Sequence, residues 1–386
     1  MNARATRREW IGLAVLALPC LLYSMDLTVL NLALPAIGED LAPSAVQQLW
    51  IVDVYGFLVA GSLITMGTLG DRIGRRRLLM VGAVVFGAAS VLAAFSTSAG
   101  MLIVTRALLG VAGATIAPST LSLIRTMFED PRERTFAISV WISSFSVGAA
   151  IGPVVGGALL EWFWWGSVFL LAVPVMVLLL LLGPVLLPEY RDPHAGRLDL
   201  PSALLSVTAV LALIFGLKEA AYEGVSTLPA LAILASIVLG AMFLRRQRRL
   251  ADPHIDVRLF RLPSFGASLA VYTLGTFVAF GIFVFMVQYL QLVLGMAPLE
   301  AGLWTVPFAL GFVVGSIVST RLVRRWPAPR VMAGGLLVAA AGYLLVVQAA
   351  SQSGAGLLMA GMVLQSLGMA PVFTLTNDLI IGTAPP

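Results

Sequence analysis

The chain has 386 residues, of which 59% are hydrophobic and 11% charged, and its mean hydropathy is +0.98. Because a soluble domain carries about 25% charged residues, this composition excludes a water-soluble globular protein. The apolar residues fall into a dozen stretches of about 20 residues, each long enough to cross a hydrocarbon core of ~30 Å as a helix. This pattern excludes a transmembrane β-barrel and an enzyme held by a single anchor.

These stretches are bounded by charged residues, glycine and proline, and they predict twelve membrane-spanning helices, α1 to α12. The predicted fold class is an all-α polytopic membrane protein. The first stretch follows a basic N-terminus but has no small-residue cleavage site, so we expect a retained helix rather than a signal peptide. In chain order the predicted helices cover residues 11–36, 48–69, 78–97, 100–125, 136–160, 165–187, 199–217, 228–245, 264–290, 300–320, 331–350 and 355–380.

The basic residues predict the orientation. With a cytoplasmic N-terminus, 22 of the 24 Lys and Arg residues fall in cytoplasmic segments, while Lys218 falls outside and Arg106 lies within a span. This is a strong positive-inside bias. We therefore expect a multi-pass protein of the cytoplasmic (inner) membrane. The bias also accounts for the pI of about 9.8, so no nucleic-acid partner is expected.

Residues able to hold a metal or a nucleotide are scarce. Cys20 is the single cysteine, and His194 and His254 lie in separate polar loops, so neither a disulfide framework nor a metal site is predicted. The sequence has no GxxxxGK[ST] loop, which argues against ATP-driven transport. No catalytic grouping of His, Ser and Asp is recognisable, so neither an enzyme nor a cofactor is expected.

An internal repeat links the two ends of the chain. Residues 61–83 are weakly similar in sequence to residues 315–335. The pair Ala117 and Pro118 recurs as Ala370 and Pro371, 253 residues later. This offset corresponds to eight helices rather than six. It predicts that α7 and α8 are inserted between two repeated halves.

The repeat sets the expected domain boundaries. We predict a six-helix N-terminal bundle over residues 1–190, the inserted helices and their cytoplasmic linkers over 191–262, and a C-terminal bundle over 263–386. A complete second half would have six helices. The sequence therefore predicts a 14-helix architecture of which this chain carries the first 12.

Four segments carry a family resemblance. GTLGDRIGRRR (67–77) resembles the signature of the major facilitator superfamily between helices 2 and 3, and SVGAAIGPVVGG (146–157) resembles the helix 5 motif of its drug antiporters. MDLTVLNLALPAI (25–37) and WIVDVYGFLVAG (50–61) are similar to the 14-helix drug:proton antiporters that export quaternary ammonium compounds and methyl viologen. The resemblance implies the major facilitator fold and export driven by the proton gradient, without a cofactor.

Two carboxylates lie in the predicted spans. A charged side chain at mid-membrane costs roughly 2.5 to 3.5 kcal/mol on insertion scales, so such a residue is expected to face a cavity and to be functional. Asp26 lies deep in α1, and Asp53 lies near the outer start of α2. We expect both to line one cavity, where a proton and a cationic substrate compete for the same carboxylate. The alternatives are a structural, hydrogen-bonded Asp26 and an Asp53 that is merely hydrated; Asp378, late in α12, is a weaker candidate.

Arg106 is the one basic residue inside a span, about two turns into α4. A guanidinium there must find an acid or backbone carbonyls. The resemblance implies a role in proton coupling, and the alternative is a purely structural ion pair.

The segment between α2 and α3 is predicted to act as a gate. Glycines 67, 70 and 74 permit tight turns and close backbone approach, and the resemblance implies that the acid of this motif holds the cytoplasmic side closed against the opposite half. The alternative is an ordinary basic loop. The gating candidates are Gly67, Asp71, Arg72, Gly74 and Arg75.

Small residues mark one face of α5. Gly148, Gly152 and Gly156 recur every four residues, which permits close helix packing, and Pro153 and Gly157 add a bend. We expect the partner of this face in the second half of the protein, as in a hinge.

Aromatic side chains are expected to surround an apolar cargo. Trp162, Trp164 and Trp165 are instead expected in the outer interfacial belt. The aromatic and polar candidates for the cavity are Tyr55, Trp141, Phe145, Phe280, Gln288 and Trp304.

The sequence thus predicts a monomeric, proton-coupled antiporter that exports small hydrophobic compounds, with cations as the expected class. The first alternative is a proton-coupled exporter of an endogenous metabolite, antibiotic or lipid, which shares every motif above. The second is a membrane enzyme or receptor, which would require a polar catalytic cluster.

Overall fold

The computed structural model describes residues 4–191, 199–224, 226–250, 259–260, 262–352 and 355–383. Within these ranges the regular secondary structure is entirely helical, and twelve helices are long and apolar enough to cross a membrane. This confirms the predicted fold class and number of spans.

The helices keep the predicted order, and several are longer than predicted. α4 is interrupted after Gly113 and resumes at Ile116, α6 is interrupted at Leu171, and α9 ends in a π-helical turn, Tyr289–Val293. The bounds are α1 Arg7–Leu41, α2 Ala45–Ile73, α3 Arg75–Ala94, α4 Ala99–Met127, α5 Pro131–Trp162, α6 Ser167–Leu186, α7 Leu200–Glu223, α8 Thr227–Gln247, α9 Pro263–Gln288, α10 Pro298–Leu322, α11 Ala328–Gln352 and α12 Ala355–Thr383.

One boundary changes the environment of a charged residue. The predicted α7 ends at residue 217, which places Lys218 in an outer loop, whereas the observed helix continues to Glu223. The prediction was wrong because the charged residues Lys218 and Glu219 lie inside the helix rather than at the start of a loop. Helix-favouring residues continue through Ala220 and Ala221, and Lys218 finds a charged partner within the bundle.

Side-chain caps explain where several helices begin. Thr6 and Ser44 each form a capping box with the residue three positions later, Glu9 and Gln47, so that α1 and α2 start with their first N–H groups satisfied. Asp130 accepts hydrogen bonds from the first backbone N–H groups of α5.

Asp199 caps α7 and also binds the end of α8. It accepts a backbone hydrogen bond from Ser202 at 3.2 Å and a charged hydrogen bond from Arg246 Nη2 at 2.8 Å. Burial raises the pKa of this carboxyl, but the hydrogen bonds from Arg246 and Ser202 outweigh burial, so the pKa lies below its ordinary value. The contact ties together the two ends of the α7–α8 hairpin.

Spatial contacts divide the chain into two units, Met1–Ile255 and Asp256–Pro386. In the first unit α1 packs along α5 and α6, α2 along α4 and α7, and α3 along α4 and α6. In the second unit α9, α10 and α11 all pack against α12. The core of the first unit includes the fully buried side chains of Leu16, Ile37, Ile51, Leu79, Leu102 and Leu123.

The predicted repeat recurs in the helix contacts of each unit. A Cβ atom built at Gly82 in α3 would lie 2.0 Å from Thr115 Oγ1 in α4. In the second unit a Cβ at Gly335 in α11 would lie 2.6 Å from the carbonyl oxygen of Gly368 in α12. Both residues of the second contact lie 253 positions after those of the first, which is the offset found in the sequence.

A second pair of contacts repeats at the same offset. A Cβ at Gly110 in α4 would lie 3.0 Å from Leu58 Cβ in α2, and a Cβ at Gly311 in α10 would lie 3.0 Å from the carbonyl oxygen of Val363 in α12. The packing of α2 and α3 on α4 is thus repeated by α10 and α11 on α12. This supports a displacement of eight helices, with α7 and α8 between the repeated elements.

Candidate functional site

A buried ion pair lies inside the first unit. The side chain of Arg106 in α4 is only 1% exposed, and its Nη1 lies 2.5 Å from Oδ2 of Asp26 in α1. Its Nε donates a hydrogen bond of 3.1 Å to the carbonyl oxygen of Ile51 in α2. The arginine therefore has both of the partners that can accommodate a guanidinium inside a span, an acid and a backbone carbonyl.

The aromatic ring of Tyr55 packs against the guanidinium of Arg106. The guanidinium carbon lies 4.7 Å from the centroid of the Tyr55 ring, which is fully buried, and the Tyr55 hydroxyl donates to the carbonyl oxygen of Tyr23 at 3.4 Å. A cation over an aromatic face is stabilised by the ring quadrupole. The prediction that Tyr55 faces an open cavity is not met in this conformation, because the ring is covered by Arg106 and by the contact between α2 and α4.

Glycine in α4 makes this arrangement possible. A Cβ atom at Gly110 would lie 2.6 Å from the backbone oxygen of Tyr55, and one at Gly113 would lie 3.2 Å from the Tyr55 hydroxyl. Real Cβ atoms do not approach a backbone oxygen as closely as 2.6 Å, so the two helices need glycine at position 110, whereas the contact at Gly113 is tight. The close approach brings Arg106, one turn before Gly110, onto the Tyr55 ring.

Asp26 keeps some access to its surroundings. Its side chain is 17% exposed, and it lines a cavity of about 20 Å³ between α1, α3 and α6. A volume of this size holds about one water molecule. The carboxylate is therefore neither sealed in a dry helix contact nor widely open. The other lining side chains include Leu22, Met25, Val29, Phe86, Ser90 and Phe169.

An aromatic chain leads from this pair across α1 to α5. The ring of Tyr23 lies 6.0 Å from Tyr55 and 5.7 Å from Phe145, and Phe145 lies 4.9 Å from Trp141. Trp141 Nε1 donates a 2.9 Å hydrogen bond to Thr120 Oγ1. Three predicted cavity residues thus belong to one cluster, and Tyr23, which sequence reasoning missed, joins them. Its position three residues before Asp26 was the available signal.

Asp53 is not brought to Asp26. Its Oδ2 accepts a hydrogen bond from Lys218 Nζ in α7 at 2.8 Å, and Asp53 does not line the small cavity that Asp26 lines. The expectation of one shared cavity for both acids is therefore not supported. The partner was missed because Lys218 was placed in a loop.

The predicted gate contains one turn rather than three. α2 continues to Ile73, so Gly67 and Gly70 are helical, whereas Gly74 has φ = +113°, a conformation that side chains other than glycine rarely adopt. The expectation of turns at Gly67 and Gly70 was wrong. Close approach is found instead, since a Cβ at Gly70 would lie 2.9 Å from Arg75 Cδ.

The charged residues of this segment bind within the first unit. Asp71 Oδ1 lies 2.5 Å from Arg75 Nη2, across the turn at Gly74, while Arg72 is exposed in the last turn of α2. Sequence reasoning missed Glu189, which follows α6. Its Oε1 accepts from the backbone N–H of Arg76 at 3.1 Å, so the turn at Gly74 is fastened to the end of α6.

The glycine face of α5 packs against α1. A Cβ at Gly148 would lie 2.2 Å from the carbonyl oxygen of Leu21, and one at Gly152 would lie 2.2 Å from Thr28 Oγ1. At Gly156 the distance would be 2.7 Å to Val29 Cγ1. The prediction of a partner in the second half was therefore wrong, because this face lies on the helix that carries Asp26.

The remaining motif residues of α5 are also buried. Pro153 and Gly157 lie within the continuous helix Pro131–Trp162.

Of the three predicted belt tryptophans, Trp162 and Trp164 are exposed. Trp165 is 6% exposed and donates a 2.7 Å hydrogen bond to Asp40 Oδ2, so its placement in the belt was wrong.

Three predicted cavity residues belong to the second unit. Phe280 in α9 is more than half exposed, while Gln288 in α9 and Trp304 in α10 are half-buried. The other three candidates lie in the first unit. The side chain of Asp378, together with His194 and His254, falls outside the described residues.

The fold and the buried pair define a polytopic helical membrane protein with an acid and a base inside one helix bundle. The sequence profile described as Major Facilitator Superfamily matches residues 16–386. The chain belongs to this superfamily, which confirms the resemblance and establishes a membrane transporter fold.

Similarity to curated proteins covers nearly the whole chain. The chain is 46% identical over 384 residues to "Multidrug efflux pump LfrA" of Mycolicibacterium smegmatis, covering 100% of this chain and 76% of the relative. It is 37% identical over 336 residues to "Methyl viologen resistance protein SmvA" of Salmonella typhimurium, covering 86% and 68%. It is 34% identical over 380 residues to "Tetracenomycin C resistance and export protein" of Streptomyces glaucescens, covering 98% and 70%.

Solved structures share the fold at low sequence identity. A POT family transporter crystallised with 5-aminolevulinic acid superposes with a TM-score of 0.68 at 16% identity, covering 97% of this chain and 84% of that one. A bacterial homologue of the lysosomal transporter Spinster, in an inward-facing conformation, gives a TM-score of 0.62 at 19% identity, covering 97% and 75%. At these identities the similarity concerns the fold alone.

Proposed function

We propose that this protein is a proton-coupled multidrug efflux antiporter of the cytoplasmic membrane, with its N-terminus in the cytoplasm. The observation that carries the proposal is the 46% identity over 384 residues to a multidrug efflux pump. The proposed energy source is the proton gradient, with no cofactor and no enzymatic activity. The proposed working unit is a monomer.

Coupling is assigned to Asp26 and Arg106. In the ion-paired state the Asp26 carboxylate accepts a hydrogen bond from Arg106. The same guanidinium also donates a hydrogen bond to the carbonyl oxygen of Ile51. A proton on Asp26 removes its charge and with it the attraction to Arg106, and the adjacent small cavity gives the carboxylate a place for water. Protonation of one buried group would thereby change the contact between α1 and α4. This is the kind of two-state element that alternating access requires.

The proposed cargo is a small hydrophobic cation, such as a quaternary ammonium compound, a dye or a viologen. The relative named for methyl viologen resistance supports this class, and the aromatic cluster of Tyr23, Phe145 and Trp141 offers faces suited to organic cations. The alternative is export of an endogenous product such as an antibiotic. The relative named for tetracenomycin C resistance and export favours it.

The test is ethidium transport in everted membrane vesicles from a host without its own drug exporters. We expect uptake that requires an imposed proton gradient and stops when a protonophore is added. Asp26→Asn should abolish gradient-driven uptake. If vesicles with and without the protein take up ethidium equally, the proposed function is wrong.

A matched control is available on the same helix. Glu39 in α1 is exposed, and Glu39→Gln removes a carboxylate from α1 without touching the buried pair. Its transport should equal that of the unchanged protein. Transport of a neutral antibiotic, with no transport of ethidium, would favour the alternative cargo.

A further inference from the structure

The outer end of α2 holds a second cationic contact. Lys218 Nζ in α7 lies 2.8 Å from Asp53 Oδ2 and 5.0 Å from the centroid of the Trp50 ring. The lysine side chain is 12% exposed and the Asp53 side chain 35% exposed. Trp50 and Asp53 are three residues apart on α2, so they lie on the same face of the helix.

This pairing is the chemistry by which proteins bind organic ammonium ions. A carboxylate supplies the opposite charge, and an indole face supplies the strongest aromatic contact for a cation. The lysine head group is itself an alkylammonium ion, tethered by its own side chain to α7. It therefore fills a position that fits a free cation of the same kind.

Lys218 differs in residue type from every other basic residue of the chain. It is the single lysine, since all 23 other basic residues are arginine. An ammonium is a compact charge that is strongly hydrated and accepts water readily when released, whereas a guanidinium forms a rigid, multidentate contact. Lysine is the basic residue better suited to a contact that has to open.

The surroundings leave room beside the carboxylate. A Cβ atom built at Gly56, one turn after Asp53 on the same face, would meet no other heavy atom within 4 Å. Asp53 is also twice as exposed as Asp26, whose side chain is 17% exposed. A cation can therefore approach Asp53 without unpacking the bundle.

We propose that Trp50 and Asp53 form a binding site for monovalent organic ammonium or phosphonium ions, and that Lys218 occupies it as a tethered competitor. Arrival of a lipophilic cation displaces the lysine, and departure of the cation returns it. The contact between α2 and α7 then opens and closes with occupancy. This inference rests on the proposed function in taking the cargo to be cationic.

The first test measures binding without transport. The purified full chain in detergent micelles is titrated with tetraphenylphosphonium by calorimetry, with no proton gradient present. Lys218→Gln should tighten the Kd by about tenfold, the factor expected when an ion pair and a cation–π contact no longer have to be broken first. Lys218→Arg keeps the positive charge and can hold the carboxylate through more than one hydrogen bond, so it should not tighten the Kd. In the double variant Asp53→Asn/Lys218→Gln the gain should disappear.

The second test uses the unchanged protein. Because the chain has one lysine, reductive methylation reports on Lys218 and the α-amino group alone. Saturating tetraphenylphosphonium should increase the methylation rate of Lys218 several-fold and leave the α-amino rate unchanged. The neutral dye Nile red should have no such effect. This readout does not depend on whether a Lys218 variant folds.

Two results would overturn the proposal. Unchanged or weaker binding by Lys218→Gln would show that the pair merely joins α2 to α7, and a methylation rate unaffected by the cation would show that Lys218 is not displaced. The outcome is separable from efflux. Cation-dependent exposure of Lys218 without gradient-driven ethidium transport would leave this site standing and reject the proposed function, and the reverse pattern would reject the site alone.

Discussion

Two acid–base pairs of the first unit join helices in different environments. Asp26–Arg106 has side-chain exposures of 17% and 1%, and a third helix supplies a carbonyl to the arginine. Asp53–Lys218 has exposures of 35% and 12%, so this carboxylate is less enclosed than that of Asp26. Breaking a buried pair leaves an uncompensated charge, whereas breaking an exposed one costs little. The same chemistry therefore serves a buried contact that is costly to break while Asp26 is charged in one place, and a readily displaced contact in the other.

The largest expected effect follows from removing the buried base. Arg106→Leu leaves Asp26 without its partner, so we expect a loss of about 3 to 5 kcal/mol in the free energy of unfolding. Denaturation of the purified protein in mixed micelles, followed by tryptophan fluorescence, measures it. Arg106→Lys keeps the charge but loses the second hydrogen bond. Its free energy of unfolding should therefore lie between that of the unchanged protein and that of Arg106→Leu. A cost below about 1 kcal/mol for Arg106→Leu would remove the distinction between the pairs.

A second effect concerns the support of Asp26 rather than its charge. Gly152→Ala places a methyl group against Thr28 Oγ1, and such overpacking typically costs about 1 to 3 kcal/mol. The matched control is Gly240→Ala in α8, where an added Cβ meets nothing within 4 Å and the helix should be unharmed or slightly stabilised. The same unfolding assay distinguishes the two. Equal effects at both glycines would contradict the described contact between α1 and α5.

A smaller effect is expected at a third pair, Asp199–Arg246, whose contribution to stability depends on pH. Asp199→Ala removes the cap of α7 and the partner of Arg246, at a cost of about 1 kcal/mol at neutral pH. Because the pKa of Asp199 is lowered in the folded state, its stabilisation is fully present above the ordinary aspartate value. It is lost as the pH falls through the lowered value. The stability difference between the unchanged protein and Asp199→Ala should therefore shrink in acid, and a difference that grew there would refute the assignment.

The smallest effect is expected at the half-exposed pair. Asp53→Asn should change the free energy of unfolding by no more than about 1 kcal/mol, and added salt should reduce even that. Paired measurements on Asp53→Asn and Arg106→Leu at two ionic strengths test the comparison directly. A cost at Asp53 as large as that at Arg106 would mean that Lys218 is a structural partner.

Much of the fold follows from the sequence because the bilayer imposes length and polarity on each span. The number and order of the helices, the repeat offset and the isolation of Arg106 are visible in residue patterns alone. The need of Arg106 for an acid or for backbone carbonyls is also predictable, because an isolated guanidinium inside a span is costly.

Partners across helices were harder to predict. The glycines of α5 indicate a close helix contact but do not identify the opposing helix. That this helix is α1 depends on tertiary packing. Lys218 was missed because a charge near a helix end reads equally well as a loop. Glu189 was missed because its role depends on the positive φ of Gly74, which orients the following N–H groups toward it.

The glycine face of α5 has a consequence for how the sequence can vary. With no side chain between the backbones at Gly148 and Gly152, the opposing positions in α1 set the space that each glycine needs. Enlarging residue 152 should be tolerated only when residue 28 shrinks at the same time, as in Gly152→Ala with Thr28→Ala. Substitutions at these two positions are thus expected to be inherited together, and the acid in α1 cannot be repositioned without a compensating change in α5, the helix packed against it.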